Sequence, residues 1–128
     1  MEDKSKIQIV ILSRNTMIAL STIRALGDAG FTVDLISSVF KEGDAAVVAA
    51  SRFLRHHKEI ASTKHRDGSD EDLLNAIRDS YDPAFDNHIL LPVDDYTAAI
   101  TDLNRASIER LFKVAGTTKD SKQSLLDL

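Results

Sequence analysis

The chain has 128 residues, 43% hydrophobic and 28% charged, with 16 basic residues against 20 acidic ones and a formal net charge of −4. That length supports one domain with its own core, and the interspersed charges lack the dense positive stripe of a nucleic-acid surface. The absence of cysteine excludes disulfides, zinc-thiolate sites, iron–sulfur ligation and thiol nucleophiles, and no apolar stretch approaches the span of a bilayer.

Residues 1–6 are polar and mixed in charge, with no apolar core of a signal peptide behind them, so the expected location is cytoplasmic. Ile7 to Leu12 is a near-continuous aliphatic run, the pattern of a central strand covered on both faces. A turn at Ser13, Arg14, Asn15 and Thr16 follows. Leu20, Ile23 and Leu26 then recur at helical spacing, with Gly27 and Gly30 bracketing the helix end as C-caps. Phe31 to Ile36 predicts a second strand and completes a strand–helix–strand unit.

A short helix is expected over Asp44 to Ala50 and a brief third strand over His57 to Ile60. The basic run Arg52 to Lys58 reads as a solvated approach to that strand. Ser69 to Asp72 resembles a capping box with an acidic first turn, and Leu73, Leu74 and Ile77 supply the buried face of the helix it opens. Asp82-Pro83 and Asp86-Asn87 mark a turn before the strand at Ile89 to Pro92, after which Asp94 or Asp95 caps a helix through Ile100 and Leu103. Ile108, Leu111 and Phe112 extend or repeat that pattern, Lys113 to Ala115 forms a last short strand, and a further helix begins over Lys119 to Leu128. The fold class is α/β: a three-layer Rossmann-like domain with a four- to five-stranded, mostly parallel sheet and helices on both faces.

Ligands of such sheets bind at the carboxyl ends of the strands, which directs attention to the turn after the first strand and to Asp94 and Asp95 after the fourth. The first turn has no glycine and the second strand runs into Ser37 and Ser38 where a ribose-binding acid is expected, so an NAD or FAD site is disfavoured. Ser13, Arg14, Asn15 and Thr16 either present helix N-terminal amides and a guanidinium to an anionic substrate group or form a plain capping turn. Of Asp94 and Asp95, one is expected to cap the helix, leaving the other for substrate. A receiver domain is set aside because the acidic pair follows the fourth strand instead of the first. His56, His57, His65 and His88 lack the spacing of a helical metal pair, and no serine stands in a Gly-x-Ser-x-Gly elbow.

The order of these segments resembles the N-terminal, pre-ATP-grasp domain of carboxylate–amine and carboxylate–thiol ligases, including carbamoyl-phosphate-synthase-like proteins. The resemblance rests on Ile7 to Leu12 with its loop, on Ala25-Leu26-Gly27-x-x-Gly30-Phe31-Thr32-Val33, and on Ser51-Arg52-Phe53 leading to His57-Lys58-Glu59-Ile60. It rests also on Leu91-Pro92-Val93-Asp94-Asp95 followed by Asp120-Ser121-Lys122, where the family has an aspartate–lysine pair; Ser121 between the two and the glycine-free first loop are departures.

The resemblance implies a pre-ATP-grasp domain over residues 1–117 and, over 118–128, the start of a helix leading into an ATP-grasp domain beyond this chain. No catalytic or metal residue and no cofactor is expected here; ATP and Mg²⁺ would be bound by the longer parent enzyme. The expected partners are that downstream domain and a small carboxylate substrate, with no nucleic acid or membrane and with a homodimer possible. Ser13, Arg14, Asn15, Thr16, Asp94 and Asp95 are the substrate-side or interdomain candidates. The alternative is a stand-alone Rossmann-like module for a sugar or nucleotide, or half of a two-domain transferase.

Overall fold

The computed structural model describes residues 4–14, 16–39, 52–61 and 71–115. After a 3-10 turn at Lys4–Lys6, the elements are β1 (Ile7–Ser13), α1 (Thr16–Asp28), β2 (Val33–Val39), β3 (Leu54–Ala61), α2 (Glu71–Ser80), β4 (Asn87–Pro92), α3 (Asp95–Leu103), α4 (Arg105–Ile108) and β5 (Lys113–Val114). The five strands form one parallel sheet in the order β3-β2-β1-β4-β5. It is the expected Rossmann-like α/β sheet with helices on both faces.

The alternation within β1 shows why it sits at the centre. Ile9 and Ile11 pack with Val33 and Leu35 beneath Ala19 and Ile23 of α1. Val10 and Leu12 face the other way and pack with Ile36 and Leu90 against Leu73, Ala76 and Ile77 of α2, Ile100 of α3 and Ile108 of α4. Successive strand side chains point to opposite faces, so the aliphatic run Ile9 to Leu12 satisfies two helical layers at once. None of the helices among the described residues is long and apolar enough to cross a membrane.

Several boundaries differ from the sequence reading. Helix α1 includes Gly27, and the chain leaves it through a Schellman turn in which Phe31 N donates to Leu26 O and Gly30 N to Gly27 O, both at 3.0 Å. Gly30, at φ +100°, is the C-cap glycine. Gly27 has a packing reason instead: a Cβ there would lie 2.1 Å from Phe53 Cγ. Strand β2 runs from Val33 to Val39, so Ser37 and Ser38 lie inside it and not beyond its end, and β3 spans Leu54–Ala61. Helices α3 and α4 are separate, broken at Asn104, whose Nδ2 donates to Ile100 O at 2.9 Å. The expected helices at Asp44 to Ala50 and Lys119 to Leu128, and the Ser69-Asp70 part of the capping box, fall outside the described residues; Glu71 and Asp72 do open α2 with acidic side chains.

Candidate functional site

The strand order reverses at β1: the chain proceeds from β1 to β2 on one side and from β4 to β5 on the other. The connections leaving β1 and β4 therefore diverge to opposite faces, the arrangement that opens a ligand crevice at the carboxyl ends of adjacent strands. Pro92 is in register with Leu12, and Val93 N donates to Leu12 O at 3.0 Å, so the two strands stay paired up to the mouth of this crevice.

Asp94 stands just beyond this paired end. Its backbone is extended at φ −139° and ψ 168°, the usual N-cap conformation. Oδ1 accepts from Thr97 N at 3.0 Å and from Thr97 Oγ1 at 2.8 Å, while Oδ2 accepts from Arg14 N at 2.5 Å. One carboxylate thus caps α3 and ties it to the residue after β1. The Arg14 guanidinium lies over the buried Tyr96 ring, 4.2 Å from its centroid, which keeps a positive charge at the same place. Asp95 is exposed in the first turn of α3, and among the described residues no side chain pairs with its carboxylate.

The structure thus brings Arg14, Asp94 and Asp95 to one strand edge and divides their roles: Asp94 is the cap, and Asp95 is left facing solvent. Ser13 ends β1, buried at 2% exposure, in register with Ser37. Thr16 is the first residue of α1, and Asn15 lies outside the described residues. Met17 and Ile18, exposed in the first turn of α1, add an apolar rim. The amide of Arg14 does not suit a nucleotide phosphate, because the Asp94 carboxylate already accepts its hydrogen bond and would repel a second anion.

Ser37 Oγ and His57 Nε2 are 3.1 Å apart, a hydrogen bond between neighbouring strands. Burial holds the His57 imidazole below its ordinary pKa, against an opposing pull from the Glu59 charge. Ser37 is only 4% exposed, too enclosed for a substrate carbonyl to reach. The neighbouring Ser38 Oγ is fully buried and, among the described residues, has no hydrogen-bond partner. Among the described residues no cluster of three metal-ligating side chains occurs.

A second set of polar groups, which the sequence reading did not single out, joins the opposite edge of the sheet. Arg55 Nε and Nη2 grip both oxygens of Asp34 at 2.9 and 2.7 Å, and Nη1 reaches Asp82 at 3.0 Å. Gln8 Nε2 donates to Asp34 Oδ2 at 3.0 Å and to Ser80 O at 2.6 Å, while Gln8 Oε1 accepts from Asp82 N at 3.1 Å. A register shift between Val33 and Asp34 makes Arg55 the extra residue of β3 and aims it at Asp34. Arg55 is accordingly not the solvated residue expected of the basic run: the Asp34 hydrogen bonds, more than those to Asp82, raise its pKa further above its ordinary value. Asp82 is held below the ordinary carboxylate value, first by the Ala84 amide and then by Arg55. The signal was legible, since a glutamine and an aspartate inside the apolar runs of β1 and β2 require buried partners.

Comparison of the chain with known protein families, with curated proteins and with solved structures gave no match.

Proposed function

We propose that this chain is the substrate-side domain of an ATP-dependent carboxylate ligase, packed in the intact enzyme against an ATP-grasp region that binds ATP and Mg²⁺. The observation that carries the reading is the junction at the carboxyl ends of β1 and β4, where Asp94 ties the two strand ends together and Arg14 and Asp95 stand beside it. A guanidinium and a carboxylate so placed can orient a substrate bearing groups of both signs. The apolar rim at Met17 and Ile18 is suited to cover by the neighbouring domain.

When bound, ATP and Mg²⁺ would convert the substrate carboxylate into an acyl phosphate for attack by an amine or thiol. The residues of this domain would contribute positioning: Arg14 attracts the carboxylate, Asp95 holds a cationic group, and Asp94 maintains the spacing between β1 and α3.

The test is the mass of the native protein in its source cells, read by immunoblot. A species much larger than 14.1 kDa supports the reading, and a species at that mass replaces it with a stand-alone binding module. In the larger protein, Asp95→Ala should raise KM for the carboxylate substrate with unchanged thermal stability; unchanged kinetics would remove Asp95 from the site.

A further inference from the structure

A cleft of about 310 Å³ lies between β2–β3 and the C-terminal part of α2, at the edge of the sheet opposite the crevice just described. Its size is at the lower end of the ~300–1,000 Å³ range of small-molecule pockets. Asp34, Arg55 and Asp82 line it, but their charges are committed to one another. His56 and Lys58 line the strand wall. They are two residues apart on β3, in register with Asp34 and Ile36, and so share the face that packs under α2. Asp79 and Ser80 line the helix wall.

Lys58 and Asp79 are left over. They form no ion pair with each other, and among the described residues neither has another partner, although both line the same cleft. Two unmated charges of opposite sign on facing walls define a dipolar binding requirement. The helix sharpens it: the C-terminal end of α2 carries partial negative charge and favours a cation beside Asp79 and Ser80. The lining as a whole has three carboxylates against two cationic side chains, which disfavours a bare anion such as phosphate.

We propose that this cleft binds a small zwitterion of the α-amino-acid type, with its ammonium at Asp79 and the last turn of α2 and its carboxylate at Lys58 and the His56 imidazole. The Asp34–Arg55–Asp82 clasp is the rigid floor that holds the two walls apart. The site stands independently of the proposed ligase role, because it uses the other edge of the sheet.

The test is a ¹H–¹⁵N chemical-shift titration of the full chain with L-serine, L-glutamine and L-arginine as zwitterions of different size and charge. Glutaramate and 4-aminobutanamide are the controls, each keeping one charged group of glutamine and lacking the other. At least one amino acid should give saturable shifts at His56, Lys58, Asp79 and Ser80. For L-glutamine, each control should bind about tenfold more weakly. Lys58→Met and Asp79→Asn should each weaken the amino acid that binds by about tenfold, with thermal midpoints unchanged, since both side chains are exposed. The proposal is overturned if no amino acid saturates at tens of millimolar, if glutaramate matches L-glutamine, or if the shifts fall at Arg14 and Asp95 instead.

Discussion

Where the strands begin, Gln8, Asp34, Arg55 and Asp82 bind one another through side chains drawn from three strands and from the turn before β4. Where the strands end, one carboxylate, Asp94, joins two elements through the Arg14 amide, the Thr97 amide and the Thr97 hydroxyl. The first edge is braced by ion pairs with a nearly buried Asp34, and Gly27 and Phe53 pack tightly beside it. The second has a light latch and leaves Asp95 in solvent. The polar cross-links are thus concentrated where the strands begin, while the carboxyl edge, where open α/β sheets bind ligands, is held by a single carboxylate.

The largest effect that would break this contrast is expected from Arg55→Met. Asp34, with a side chain only 6% exposed, would lose its cation, and removing one partner of such a pair costs about 3–5 kcal/mol. Urea denaturation measures it, and a loss below about 1 kcal/mol would mean the clasp is no stronger than a surface pair. Gly27→Ala should cost about 1–3 kcal/mol because the Phe53 ring must move, and Phe53→Leu in the same chain should recover part of that. If the two changes are simply additive, the contact does not explain Gly27.

At the other edge, Asp94→Ala should cost about 1 kcal/mol through the lost cap, measured in the same denaturant series. Asp94→Asn, which keeps an acceptor, should cost less. Acidification sharpens the comparison from the side of His57. Its folded-state pKa lies below the ordinary 6.5, so the unfolded chain takes up the proton first, and stability falls as pH drops through 6.5 towards the folded value. His57→Gln should flatten that part of the profile. Asp82, also depressed, adds a stabilisation that is present above its ordinary 3.8 and is lost as pH falls through its folded value. The smallest effect belongs to Asp95→Ala, whose thermal midpoint should match the parent's. A clear loss would make Asp95 a structural residue and would remove it from the candidate site.

Periodicity determined the parallel α/β sheet, the central place of Ile7 to Leu12, the helix over Leu20 to Leu26 and the capping role of the Asp94-Asp95 pair. Each depends on residues adjacent in the chain: alternation decides which faces a strand buries, and cap chemistry acts within one turn. The tertiary structure alone decided that Asp94 is the cap and also reaches the Arg14 amide, 80 residues away in sequence. It likewise decided that Gly27 makes room for Phe53, and that Arg55, which reads in sequence as one charge of a basic run, is the centre of a clasp. These depend on strand order and on a one-residue register shift, which bring together side chains that no local pattern relates.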